Sequence, residues 1–283
     1  MIRQKSYIDE KATLYLVPTP IGNFSDMTYR AVEILNSVDI IFCEDTRVTK
    51  VLLSHFNINT KLSSYHIFNE EVRADDIISL LEEGKLVALV SDAGLPCISD
   101  PGFLISKKAI EKGFNVISLP GANAALTALV ASGLPSEKFY FHGFLPSKQG
   151  QRQKEIASLK DINYTIIFYE APHRILSTLS DMLEVLGNRE VVVGRELTKK
   201  FEEYIRGNLE DIVSEIGQLK GEIVIVLKGN DKNIVSKDLE NLSLKEHYNY
   251  YINEGLDEKE AMKKVASDRK VSKSEVYKEV KVN

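Results

Sequence analysis

Residues 86–102 read LVALVSDAGLPCISDPG, and this stretch decides the fold class. The run Leu86-Val87-Ala88-Leu89-Val90 is apolar without alternation, as expected of a parallel strand covered on both faces. It breaks at Ser91-Asp92-Ala93-Gly94-Leu95-Pro96, and Ile98-Ser99-Asp100-Pro101-Gly102 then opens a helix-like segment. Small residues, two acids and two prolines therefore sit at the carboxyl end of a strand. Open α/β sheets bind ligands on that rim, where strand ends and helix starts leave backbone groups free. The loop has two carboxylates and no Lys or Arg, which disfavours phosphate and suits a cation or a hydroxyl-rich ligand. A small-molecule site is expected here.

Working outward, strands and helices alternate. Strands are expected at residues 12–18, 38–43, 86–91 and 115–119, with helices at 25–37, 46–56, 70–83 and 101–112. This βαβ rhythm predicts a mainly parallel sheet with helices on both faces. Pro120-Gly121 is strong punctuation. Beyond it come an alanine-rich helix (122–133), strands at 139–144 and 164–169, and a helix ending near Leu186. Residues 190–196 and 201–206 alternate as antiparallel strands do. A helix at 209–219 and a closing strand at 221–228 follow. The fold class is α/β in two units, residues 1–121 and 122–229. Residues 230–283 form a linker and a helical module with three short helical patterns.

The 283 residues are 43% hydrophobic and 27% charged, an ordinary globular balance. A net charge of −5 provides no chain-wide basic field for nucleic acid, so RNA contact needs a local patch. In residues 230–283, ten Lys and one Arg balance four Asp and seven Glu. Two cysteines, Cys43 and Cys97, are too few for a disulfide scaffold or a zinc cluster; no metal site is expected. No apolar run reaches the roughly 18 residues of a membrane span, and the polar start lacks a signal-peptide core. These features point to a soluble cytoplasmic protein.

Three other strand ends carry polar motifs. Pro18-Thr19-Pro20-Ile21-Gly22-Asn23 makes a rigid turn that lets a ligand approach the backbone, or simply connects strand to helix. It is no G-x-G-x-x-G fingerprint, which weakens a dinucleotide reading. Glu44-Asp45-Thr46-Arg47 lies on the same rim as Asp92; Asp45 or Thr46 serves the site, caps the next helix, or both. Tyr169-Glu170-Ala171-Pro172-His173-Arg174 places Pro172 in a first helical turn and Glu170 where a helix start favours an anion. His173 is either a general base or an oriented polar contact. Cys97 has no neighbouring His to activate it. The segment 144–154, FLPSKQGQRQK, reads as a basic loop, in which Lys148, Arg152 and Lys154 touch a nucleic-acid phosphate backbone or form a solvated helix face.

Taken in order, LVPTPIGNFSDMT, FCEDTR, SDAGLPCISDPG, LPGANAALTALVASGL, FHGFLP, FYEAPHR and GRELTKKFEE resemble the family of small-subunit ribosomal RNA ribose 2′-O-methyltransferases I. That family lies within the tetrapyrrole methylase superfamily. The likeness runs from about Leu14 to Gly229, and the helical tail resembles the family's small C-terminal domain. Leu95 and Cys97 stand where the family commonly shows Thr and another small or apolar residue.

The resemblance implies S-adenosylmethionine bound between two α/β domains, usually in a homodimer. It also implies methylation of a cytidine ribose in the decoding region of small-subunit RNA, free or in the assembled subunit. The implied cofactor-binding set is Pro20, Asp92, Ala93, Gly94, Ser99, Asp100, Ala122, Ala124, Tyr169, Glu170 and Glu222. S-adenosylmethionine is a sulfonium cation without phosphate, so an acidic loop suits it. A ribose hydroxyl needs help to lose its proton, from a pool of Glu44, Asp45, Arg47, Glu170, His173, Arg174, Glu196 and Lys199. Two rivals stay open: a methylase of a small molecule such as a tetrapyrrole, and an inactive ribosome-associated RNA-binding protein. The basic segment and the tail favour a polyanionic acceptor over the first. The retained ligand-facing turns count against the second.

Overall fold

The computed structural model describes residues 3–6, 11–230, 239, 241–269 and 271–281, and every structural statement concerns these. The first half runs β1 (Thr13–Val17), α1 (Tyr29–Ser37), β2 (Ile40–Cys43), α2 (Thr46–His55), β3 (Lys61–Ser64), α3 (Glu70–Glu82), β4 (Val87–Val90), α4 (Phe103–Glu111) and β5 (Asn115–Ser118). Its sheet is wholly parallel in the order β3-β2-β4-β1-β5. The unbroken apolar run that sets the fold class is β4, between β1 and β2 and buried along its length. Val87 and Leu89 face a layer formed by α3 and α4, while Ala88 and Val90 face α1 and α2. With both faces covered there is no solvent side, hence no alternation in the sequence.

The second half runs α5 (Ala124–Ser132), β6 (Phe139–Phe144), α6 (Gln149–Ser158), β7 (Thr165–Glu170), α7 (Ile175–Leu186), β8 (Glu190–Arg195), β9 (Glu203–Asn208), α8 (Leu209–Glu215) and β10 (Ile223–Leu227). This sheet is mixed, ordered β6-β7-β10-β8-β9, with β10 antiparallel to both neighbours. The antiparallel pairing expected of residues 190–206 is present between β8 and β9. One face is covered by α6, α7 and α8. The other takes α5 together with Ile21, which comes from the turn after β1. That residue ties the two halves together beside the rim.

Helices α9 (Leu244–Asn253), α10 (Glu258–Asp268) and α11 (Lys273–Lys281) pack around Tyr248, Ala261, Met262, Val265 and Val276. Side chains close all three starts: Ser243 and Glu246 form a capping box, Asp257 accepts the Glu260 amide at 2.8 Å, and Ser272 accepts the Glu275 amide at 3.2 Å while Glu275 accepts the Ser272 amide at 3.3 Å. These are the three helices expected of the tail; most of the linker expected at 229–242 lies outside the described residues. Among the described residues no helix is long and apolar enough to cross a membrane.

Several expected boundaries move. The helix expected from residue 25 is a 3-10 turn followed by α1, because the Thr28 hydroxyl caps the Ala31 amide at 3.1 Å and restarts the helix. The helix-like segment expected from Ile98 is a bent loop, and α4 starts only after Gly102. Pro172 lies in a turn before α7, not in its first turn. The basic loop expected at 144–154 is mostly helix α6.

Candidate active site

Two neighbouring strand ends and a helix start pin the loop after β4. Thr19, after β1, exchanges two backbone bonds with Gly94, each 2.9 Å long. The Asp45 amide, after β2, donates to Asp92 Oδ1 at 3.0 Å. Glu70, at the start of α3, accepts the Gly102 amide at 3.1 Å. Between these pins the backbone is left-handed at Gly94 (φ +84°), Cys97 (+70°), Ser99 (+65°) and Gly102 (+136°). Such strain in non-glycine residues persists only where the surroundings over-determine it, and it clusters at functional sites.

The loop forms one wall of a cavity of about 440 Å³ between the two sheets. Of the expected set, Asp92, Ala93, Gly94, Ser99, Asp100, Ala124, Tyr169, Glu170 and Glu222 line it. Pro20 and Ala122 stand outside the lining; the Ala122 carbonyl instead backs Gly94, 3.5 Å from where a Cβ would project. The apolar lining was missed: Ile21, Leu95, Ile98, Phe144, Leu197 and Val224. Phe144 stands 57% exposed, with its ring against Tyr169. Leu197 belongs to a second tight loop, with Glu196 (φ +49°) and Thr198 (φ +66°) left-handed. Phe144 and Leu197 both fall within recognisable sequence motifs, but only the meeting of two sheets makes them neighbours of Asp92.

The cavity is acidic. Among the described residues four carboxylates line it, and no Lys, Arg or His does. Burial, together with nearby Glu44 and Asp92, pushes the Asp100 carboxyl up to about 6. Burial and Asp92 also raise Glu44, and burial raises Asp92 against the bond from the Asp45 amide. Like charges sharing a desolvated site resist ionisation, so the rim is poised to accept a cation.

The proposed acid–base pool separates. Glu170 is 3% exposed and accepts from the Ala171 amide (2.7 Å) and the Thr178 hydroxyl (2.6 Å), with the Arg174 guanidinium 3.1 Å away. Arg174 also donates to the Leu145 carbonyl at 2.8 Å, tying β6 to β7. Lys199 bridges Glu196 (2.9 Å) and Glu222 (2.8 Å), and its ammonium holds Glu196 below the usual carboxylate range. A Cβ on Gly22 would come within 2.4 Å of Lys199 Cγ, so this bridge closes against the first half. His173 is exposed and outside the cavity lining. Asp45 caps α2 through the Arg47 amide (2.8 Å) and clamps the 89% exposed Arg47 side chain, which holds the Asp45 carboxyl down to about 2. Glu44 alone is half-buried beside the cavity acids without such a clamp.

Lys148 and Lys154 are exposed, but Arg152 is not, and its expected phosphate contact is corrected here. Arg152 is 4% exposed; its Nε donates to Asp181 Oδ2 on α7 at 2.6 Å and its Nη1 to the Ser147 carbonyl at 3.1 Å. Helix α6 turns that residue inward, one turn before buried Ile156.

Comparison with known proteins agrees with this architecture. Residues 13–213 match the family Tetrapyrrole (Corrin/Porphyrin) Methylases. The chain is 50% identical over 283 residues to the ribosomal RNA small subunit methyltransferase I of Halalkalibacterium halodurans, covering 98% of each chain. It is also 50% identical, over 285 residues, to the protein of that name from Bacillus subtilis, again covering 98% of each. Among solved structures, a diphthine synthase superposes with a TM-score of 0.60 at 14% identity, covering 79% of this chain and 93% of its own. That last likeness concerns the fold alone.

Proposed function

The chain belongs to the tetrapyrrole (corrin/porphyrin) methylases and, within them, to the ribosomal RNA small subunit methyltransferase I family, and from that premise we propose that it methylates the ribose 2′-hydroxyl of a cytidine in the decoding region of small-subunit ribosomal RNA, using S-adenosylmethionine. The observation that carries the cofactor assignment is an acidic, partly apolar cavity with no cationic side chain in its lining. Such a site favours a sulfonium with an ammonium end and has nothing for a phosphate. Gly94 fits the same reading, since a Cβ there would sit 3.3 Å from Ile21 and 3.5 Å from the Ala122 carbonyl.

When bound, S-adenosylmethionine supplies an activated methyl group with a good leaving group. The chain's task is therefore positioning and proton removal. Asp92, Asp100 and the backbone of Ala93 and Gly94 hold the cationic end; Ile21, Leu197 and Val224 flank the apolar part. Glu44 is the proposed base, because Glu170, Arg174 and Lys199 are consumed by structural bonds. Glu44→Gln should lower kcat about 10²–10⁴-fold with unchanged cofactor affinity. An unaltered kcat would remove Glu44 from the chemistry.

The remaining assignments follow the same premise. Residues 1–121 and 122–229 act as the two cofactor-clasping domains, and the protein acts in the cytoplasm as a homodimer. Exposed Ile67, Phe68 and Val72 offer apolar surface for pairing. Lys148 and Lys154 contact RNA phosphates. Transfer of labelled methyl groups to small subunits from a strain lacking the gene tests the central claim. The expected product is one 2′-O-methylcytidine in the decoding region. Label elsewhere in the RNA, in a tetrapyrrole or nowhere would refute it.

A further inference from the structure

We propose that Tyr65 and Glu70 are positioning residues for the cofactor, holding residues 97–102 in the left-handed turns that shape the cavity wall. The inference rests on the reading that this cavity takes S-adenosylmethionine.

Ser99 and Asp100 line the cavity, so the path from Cys97 to Gly102 sets the shape of that wall. Cys97 and Ser99 are both left-handed, a conformation that L side chains adopt only under constraint. The amino-terminal part of the loop is fixed by the Thr19–Gly94 pair and by Asp92. Its far end is fixed through the Gly102 amide. Gly102 caps α4 without a side-chain bond of its own, and a Cβ there would meet Cys97 Sγ at 2.5 Å and Leu89 at 2.8 Å. The loop is thus folded down on itself, and the Gly102 N–H is aimed at Glu70 Oε1, 3.1 Å away.

That same oxygen accepts the Tyr65 hydroxyl at 2.9 Å. Tyr65 is 1% exposed, its amide donates to the Cys43 carbonyl at 2.8 Å, and its ring lies in the core shared with Ile105 and Ala109 of α4. The tyrosine therefore fixes where the Glu70 oxygen points. Neither Tyr65 nor Glu70 lines the cavity, and the bond that links the pair to its wall is the one to the Gly102 amide.

A filler of space would lower thermal stability and leave the affinity of the folded protein alone. A positioning role predicts a different pattern. In the full-length protein, Glu70→Ala should weaken binding of S-adenosylhomocysteine at least tenfold by calorimetry. KM for the methyl donor should rise in step, while kcat at saturation stays within about threefold of wild type. Amide exchange at residues 97–102 should quicken at least tenfold. Glu70→Gln keeps an oxygen that accepts two bonds and should restore affinity to within about threefold. Tyr65→Phe, a milder change should the alanine variant fold poorly, should fall between. Wild-type exchange and affinity in Glu70→Ala would overturn the proposal, as would a Gln variant as impaired as the Ala variant. Failure of the wild-type protein to bind S-adenosylhomocysteine would instead refute the cofactor reading, and the exchange measurement, which needs no ligand, would still decide the positioning role.

Discussion

Asp100 is the residue whose charge matters most. Its carboxyl is pushed up to about 6 by burial and by Glu44 and Asp92. A folded-state value raised above the unfolded one stabilises the protein below the unfolded value, and that contribution is lost as pH rises through about 6. Asp100→Asn should therefore raise the stability of the ligand-free protein by roughly 1–2 kcal/mol at pH near 8, after allowance for partial exposure, and by less at pH near 5. The same variant should bind cofactor weakly with little pH dependence, whereas wild-type affinity should fall as pH drops below about 6. Thermal unfolding and calorimetry across that range check both signs; equal stability gains at the two pH values would contradict the assignment. Gly94→Val makes a second test at this scale. Its Cβ would press on Ile21 and its branches would enter the cavity, so cofactor binding should be lost. The left-handed backbone should cost about 1–3 kcal/mol of stability as well. The place of Asp92, Gly94 and Asp100 on the cavity wall was legible in the sequence because acids and glycines in the loop after a buried apolar run mark the carboxyl end of a strand. Ile21, Leu197 and Phe144 were not, since an apolar residue in a loop reads as core until its partner sheet is known.

At the scale of elements, legibility followed burial. Strand β4 and its neighbours were placed to within a residue or two, because full burial writes a continuous apolar run. Strand β3, Lys-Leu-Ser-Ser, went unread: it is a short edge strand, and edges carry polar residues that blunt further pairing. Helix α6 was legible only as a solvated face, for a different reason. Its inward positions, four apart, are Ile156 and Arg152, so a charged residue occupies a core slot and hides the helical period. The guanidinium is tolerated because Asp181 meets it, and Gln149 and Gln153 each donate to the same carboxylate at 3.0 Å. Arg152→Ala leaves that buried charge short of its partner and should cost about 3–5 kcal/mol in a denaturant titration. It should leave the salt dependence of RNA binding unchanged. Replacing Lys148 and Lys154 by Ala should do the reverse, reducing the salt slope by roughly one unit per lysine with little effect on stability. A stable Arg152→Ala protein with a shallower slope would return Arg152 to the RNA surface.

At the scale of the molecule, two sheets share one cavity, and the tail helices have a core of their own. The body is anchored as far as Asn230, whose amide donates to the Ile162 carbonyl at 2.7 Å. Gly229 lies so close to the Asn163–Tyr164 backbone that a Cβ would stand 2.4 Å from it. Helices α9, α10 and α11 close around their own small core. Helices α10 and α11, joined by a short turn, suit a unit that meets nucleic acid through a helix face. Lys273, Tyr277 and Lys278 are exposed on α11, an aromatic ring between two cations, despite the tail's zero net charge. A module with its own core contributes no side chain to a cavity lined only by residues from Ile21 to Val224. Its removal should therefore separate placement of substrate from chemistry. A chain ending at Asn230 should fold, retain the cofactor affinity of the full protein and keep its oligomeric state, yet methylate small subunits at least tenfold more slowly under subsaturating conditions. Loss of the dimer on truncation would assign the tail to packing between copies. Full activity at low subunit concentration would show that the body alone recognises its RNA, leaving Lys148 at the N-cap of α6 and Lys154 in its middle as the surface on which that recognition rests.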